Sequence, residues 1–254
     1  MLLMVVADLA TARFGFDAHA YWSAWRHDSL YTAAPEQLDA YLYSPAFAQA
    51  IWPLAQLPWP AFCVLWTSAI VAAYVWLLAP VPALWRWPLL ALCTLDIISG
   101  NVWAFFALVL VFGLRHPAAW ALPVLTKVTP VIGPVWFLTR REWRQLAIAL
   151  GATAAIVVVS FAIDRSLWID WARFLSHADE LSTPAATSLR PAIYLPTPLL
   201  LAIEVPIALA LTVFAARRNR PWLLPVAMLF AMPVFTANAF VMLAAIPRMR
   251  ENAS

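Results

Sequence analysis

An all-α, polytopic bundle of transmembrane helices is the fold class that this sequence predicts, and three observations lead there. The 254 residues are 64% apolar and only 11% charged, whereas a soluble domain carries about 25% charged residues. Their mean hydropathy is +0.79. Proline outnumbers glycine by 21 to 5, which suits short, broken or kinked helices more than long straight ones. No large soluble domain fits between the apolar runs. Lys127 is the single lysine among 16 basic residues, a bias expected of high-GC bacterial coding.

In chain order, 1–12 is apolar but for Asp8 and Thr11, and 1–13 reads as a shortened first helix. Residues 14–60 form the first long polar interruption, with Asp17, His19, Arg26, Asp28, Glu36 and Asp39 among Tyr21, Trp22, Trp25, Tyr31, Tyr41 and Tyr43. Rings beside ionisable groups suit a membrane–water interface. Within this stretch 18–29 is expected to be a surface helix. The run 46–57 is expected to be interfacial or re-entrant, being too short for a hydrocarbon core of roughly 30 Å. Spanning helices are expected at 61–79, 84–98, 102–114, 146–163 and 199–216. The runs 118–138 and 222–246 are apolar but broken by proline. Cys63 and Cys93 fall in apolar runs and read as buried thiols.

Arginine placement sets orientation. The clusters Arg140-Arg141-Glu142-Trp143-Arg144 and Arg217-Arg218-Asn219-Arg220 should face the cytoplasm, which leaves 164–198 as an external loop. The side of the 14–60 loop is undecided by counting: it is external if 46–57 and 118–138 are both re-entrant or both span. A re-entrant pair is the preferred reading.

Chemistry has few places to reside. Lys127 lies deep in an apolar run, where a charge costs at least ~2.5–3.5 kcal/mol and usually has a partner or a task. It either holds an anionic head group, with Thr126 and Thr129 as further donors, or pairs with Asp96 or snorkels to the interface. Asp17, beside His19 and Tyr21, is a carboxylate that aromatic neighbours would desolvate into a general base; a solvated loop residue is the plainer alternative. Asp96 and Ser99-Gly100-Asn101 read as a helix–helix turn. Arg190 is a second cation able to reach the site from the late external loop. His177 and Asp179 lack a third ligand, so no metal site and no cofactor are expected. There is no phosphate-binding glycine loop, GxSxG, HExxH or CxxC, and the short basic clusters are not nucleic-acid surfaces.

Larger blocks add a family resemblance. Asp17-Ala18-His19-Ala20-Tyr21-Trp22, Leu30-Tyr31, Tyr41-Leu42-Tyr43-Ser44-Pro45-Ala46-Phe47-Ala48 and Pro53-Leu54-Ala55-Gln56-Leu57-Pro58 resemble the start of glycosyltransferase family 87. This is the DUF2029 group of GT-C membrane glycosyltransferases, which includes polyprenol-phosphate-mannose-dependent α-mannosyltransferases. Gly100-Asn101-Val102, Leu125-Thr126-Lys127-Val128-Thr129-Pro130 and Trp136-Phe137-Leu138-Thr139-Arg140-Arg141-Glu142-Trp143-Arg144 continue the resemblance in order. It implies an external first loop with a catalytic aspartate, matched by Asp17, and a lipid-phosphate-sugar donor. It also implies inversion of a β-linked donor to an α-linkage, onto a glycan or glycolipid acceptor. Longer members have further C-terminal helices. Lys127 and Arg190 are expected as donor-phosphate contacts, with His19, Tyr21, Trp22, Tyr43, Asn101, Thr126 and Thr129 supporting the substrates. A carrier of a lipid or anion built on the Pro-broken Lys127 segment is the alternative function; a non-catalytic accessory subunit is another.

Overall fold

A computed structural model describes residues 14–27, 29–31, 33, 37, 39–127, 132–181, 197–231 and 237–251; for Lys127, 177–181, 197–201 and Ala237 it describes the backbone alone. Every regular element among the described residues is helical. The fold is the expected all-α helical bundle of a membrane protein. Among the described residues two helices, α3 (Trp59–Leu78) and α9 (Trp143–Ile163), are long and apolar enough to cross a bilayer. In chain order the others up to α9 are the shorter α1 (Phe16–Ser23), α2 (Pro45–Ala55), α4 (Ala83–Leu92), α5 (Thr94–Ser99), α6 (Trp103–Phe112), α7 (Ala121–Lys127) and α8 (Ile132–Arg140). α10 (Arg165–Leu181), α11 (Thr197–Arg217), α12 (Leu224–Phe230) and α13 (Ile246–Glu251) follow.

The long helices are apolar all round because they meet protein on one side and lipid on the other. In α3, Phe62, Trp66, Ile70, Tyr74 and Leu77 are buried, while Val64, Leu65, Val75 and Trp76 are exposed. Most of α9 is exposed, and only Ala149 and Ser160 are buried. Helix association without a hydrophobic gain rests on close packing of small residues. α11 uses Ala208, Thr212, Ala215 and Ala216, all at most 3% exposed, along one stripe, and packs against α8 and α12.

Several elements differ from expectation for identifiable reasons. The segment 84–98 is two helices rather than one span. Pro88 sits inside α4, and Cys93 closes α4 and opens α5 with φ −81° and ψ −4°. The break lets α4 expose Leu84, Trp85 and Trp87 while α5 turns Asp96 and Ile98 inward. The surface helix at 18–29 is shorter: α1 starts at Phe16, and a 3₁₀ turn over Ala24–Arg26 ends it. The run 118–138 is divided into a 3₁₀ turn, Pro117–Trp120, and the short helices α7 and α8, neither long enough to span. The first half of the expected loop 164–198 is instead α10. Asp164 caps it by accepting the amide protons of Ser166 at 2.8 Å and Leu167 at 3.4 Å, the arrangement that satisfies free N–H groups at a helix start. Cys63 and Cys93 are both free and buried, as read.

The bundle has two chemically different ends, separated by α3. Twenty residues make it about 30 Å long. Its first residue, Trp59, packs on His19, two positions from Asp17. Near its other end the Trp76 ring stacks on Phe112 and carries the Arg248 guanidinium at 4.5 Å. Arg86 donates to Ala79 O at 2.6 Å just beyond that end, and Arg115 follows Phe112 by three residues. Arg250 covers Trp222 on the segment that packs against α13. Arg140 joins α8 to α11 by donating to Ala216 O at 3.2 Å and Asn219 Oδ1 at 3.1 Å.

Candidate active site

α1 is seated by two glycines. Gly15 has φ 75°, and its N–H donates to Ile98 O at 2.6 Å. A Cβ there would stand 2.8 Å from the Trp59 ring. Gly100 has φ 73°, and a Cβ on it would stand 2.6 Å from the Ala18 Cβ. Both positions need a backbone conformation that side chains disfavour and a close approach that they would block. The Trp66 indole donates to Gly100 O at 2.8 Å. α1 is thereby pressed onto the α5–α6 corner, with Asp17 half-buried in its first turn, where the helix N-terminus favours a carboxylate.

One turn further along the same face, Tyr21 is fully buried. Its hydroxyl shares a hydrogen bond of 2.9 Å with that of Tyr43, and Tyr43 is also hydrogen-bonded to the Asn101 side chain. Asn101 spends its own oxygen on the Val102 amide at 2.7 Å. Burial, and after it the neighbouring charges, Asp17 among them, push the Tyr21 and Tyr43 hydroxyls far above the ordinary tyrosine value. Both are therefore neutral hydrogen-bonding groups at any physiological pH. Neither offers an open ring face: Tyr21 is edge-on to Tyr43, Phe47 and Trp66, with centroids 5.2–5.5 Å away.

The remaining loop is clipped to this core. His19 Nδ1 bonds to Asp39 Oδ1, and the His19 ring lies edge-on to Trp59 at 4.6 Å. Trp22 donates from its indole to Leu57 O at 2.7 Å and carries Arg26 at 3.7 Å over its ring. His19 Nδ1 and the Trp22 indole N–H are thus engaged within the protein. Tyr31 donates to Tyr43 O at 2.9 Å and stacks on Phe174 of α10 at 5.6 Å. The Trp171 indole, also on α10, reaches Leu42 O at 3.4 Å. α10 therefore covers the segment that carries Tyr43.

Beside the cluster lies an apolar cleft of about 350 Å³, lined by Phe47, Trp66, Phe105, Leu108, Val109, Phe112, Ala119 and Leu122. Phe105, Leu108, Val109 and Phe112 are one face of α6, spaced at helical period. Tyr21 touches two lining rings, Phe47 and Trp66, and feels the Asp17 charge.

The structure brings together Asp17, Tyr21, Tyr43 and Asn101, with His19 and Trp22 as their outer clips. Thr126 is buried and turns its hydroxyl back to Leu122 O at 2.8 Å. Lys127 is the last residue of α7, and its side chain lies outside the described residues, as do Thr129 and Arg190 entirely. Sequence reasoning gave Asp96 only a turn or a partner for Lys127. It is fully buried and accepts a hydrogen bond from the Tyr74 hydroxyl at 2.5 Å, and its charge is felt at Tyr21 and Tyr43. Nothing in the sequence spacing joins Tyr74, mid-helix, to an aspartate 22 positions later.

The sequence model of glycosyltransferase family 87 matches residues 41–247. The chain belongs to glycosyltransferase family 87. The matched range includes Tyr43, Asn101, Thr126 and Lys127 and begins after Asp17, His19, Tyr21 and Trp22. No curated protein and no solved structure match the chain. As a member of family 87 it is a membrane glycosyltransferase, acting between a sugar donor and an acceptor.

Proposed function

We propose that this family 87 member is a GT-C-type hexosyltransferase of a bacterial plasma membrane. It moves mannose from a polyprenyl-phosphate donor to a lipid-linked or cell-envelope glycan on the external face. The observation that carries this reading is an apolar cleft whose lining rings Phe47 and Trp66 pack on Tyr21, one helical turn along α1 from the half-buried carboxylate of Asp17. A polyprenyl chain suits the cleft, because its walls offer lipid nothing but hydrocarbon and rings. The donor's phosphate would then stand at the cleft's polar end.

In the reaction the acceptor hydroxyl oxygen attacks the anomeric carbon, and Asp17 takes its proton. The bond from that carbon to the phosphate oxygen breaks, its electron pair leaving with polyprenyl phosphate. Lys127 and Arg190 offset the charge of that leaving phosphate. Two cations suffice to offset the charge of a monophosphate, so on charge grounds the step requires no metal. Tyr21 and Tyr43 exclude water from the inner side of Asp17. The product is the inverted α-linkage.

External orientation is supported by the two ends of α3. Arginines gather at the end opposite Asp17, including Arg86, Arg140, Arg248 and Arg250, and such clusters stay on the cytoplasmic side.

Membranes containing wild type, Asp17→Asn or empty vector, supplied with radiolabelled polyprenyl-phosphate-mannose, test the reading. Labelled glycan from wild type, reduced about 10²–10⁴-fold in Asp17→Asn, is expected. Equal labelling from both proteins would remove Asp17 as base, and label from neither, against a parallel series of other lipid-phosphate sugars that does react, would remove mannose. A Gln37→Cys variant should react in intact cells with a membrane-impermeant maleimide; protection there and reaction only after lysis would reverse the orientation.

A further inference from the structure

Four elements converge on the turn from Asp96 to Asn101. Gly100 N–H closes α5 by donating to Asp96 O at 2.8 Å, and Gly15 N–H reaches Ile98 O at 2.6 Å. From α3, Trp66 donates to Gly100 O at 2.8 Å and Tyr74 to the Asp96 carboxylate at 2.5 Å. Asn101 holds Tyr43, and Ala18 of α1 lies so close to Gly100 that no Cβ fits between them. The turn is therefore the seat of both Asp17, through α1, and the Tyr21–Tyr43 pair. Asp96 is its only ionisable side chain and is fully buried. A carboxylate in that position is costly unless hydrogen bonds hold it. Its retention in a buried site, bonded by Tyr74 of α3, asks for a task that an apolar residue would not perform.

We propose that Asp96 is a positioning residue for glycosyl transfer: its hydrogen bond from Tyr74 ties the Asp96–Asn101 turn to α3, and the turn holds α1 so that Asp17 stands where the acceptor's proton is released. Asp96 touches neither substrate and acts through Gly100, Ala18 and Asn101. The proposal rests on Asp17 being the base, so its test needs a readout that does not depend on the sugar.

Purified wild type, Tyr74→Phe, Asp96→Asn and Asp96→Ala, in detergent or nanodiscs, are compared by hydrogen–deuterium exchange over 15–23 and by transfer kinetics. Tyr74→Phe removes one oxygen and keeps the packing, so it should fold even where Asp96→Ala does not. Tyr74→Phe should speed exchange in α1 while leaving exchange in α9 unchanged. It should lower kcat about 10–100-fold, the cost of displacing a reacting group by about 1 Å, with the donor KM within about twofold. Asp96→Asn keeps an oxygen for Tyr74's proton and should recover most of both effects. Unchanged α1 exchange in Tyr74→Phe, or loss of protection spread equally over α1 and α9, would overturn the proposal. So would a loss confined to KM. If wild type transfers no sugar from the chosen donor while α1 exchange responds as stated, the substrate reading fails and the coupling of Asp96 to α1 stands.

Discussion

The two ends of α3 hold their polar groups in opposite ways. At the Asp17 end, hydroxyls are inside: Tyr21 and Tyr43 are at most 6% exposed and share a hydrogen bond among edge-on rings. Further along α3 the buried Asp96 carboxylate accepts a hydrogen bond from the Tyr74 hydroxyl. At the arginine end the cations remain at the surface. They rest on rings, as Arg248 does on Trp76 and Arg250 on Trp222, or on carbonyls that helix ends leave free. Buried hydrogen bonds fix position, because breaking one leaves an orphaned group in a medium without water. Surface cations fix orientation across the membrane and tolerate movement. Substitutions at the first end should therefore cost geometry and turnover, and substitutions at the second should cost little of either.

The largest effect expected from a substitution outside the reacting groups is that of Gly100→Ala. Its left-handed φ and the Ala18 contact should together cost about 2–4 kcal/mol. A fall in thermal stability in detergent with an accompanying fall in transfer rate is the expected result. A stable, active Gly100→Ala protein would show that the seat of α1 is not rigid.

Leu108→Trp tests the cleft between the two ends. An added ring on this face of α6 should raise KM about tenfold for a long-chain polyprenyl-phosphate donor, roughly one methylene pair's worth of lost apolar contact. A short-chain analogue should be affected less. Equal KM changes for both chain lengths would separate the cleft from the lipid tail.

The smallest effect should come from Arg248→Ala. It removes a stacked cation and a bond of 2.9 Å to Trp76 O, and an exposed cation–π contact contributes about 0.5–1 kcal/mol. Turnover should be unchanged. A loss of kcat comparable with that of Gly100→Ala would abolish the distinction between the two ends.

Legibility followed length. The helices at 59–78, 143–163 and 197–217 stand out as long apolar stretches bounded by proline or arginine. Asp17, Tyr21, Tyr43 and Asn101 could be singled out because each sits in a polar block. Short elements were harder. The break at Cys93 depends on which faces of α4 and α5 find protein, and the α10 start depends on one aspartate's reach to two amides. Asp96 was visible only as a turn residue or a partner for Lys127, because Tyr74 resembles any other ring in a spanning helix.

Composition and the spacing of apolar runs determined on their own that this chain is an all-α membrane protein, and its arginine clusters determined which segments end together. Those properties are sums over many residues, so they survive any particular packing. The seat of α1 on Gly100, the burial of Asp96 against Tyr74, and the cleft lined by Phe47, Trp66 and α6 were decided by tertiary structure alone. Each depends on a contact between residues far apart in the chain. Such contacts turn on ångström-scale fits between backbones and rings that periodicity does not encode.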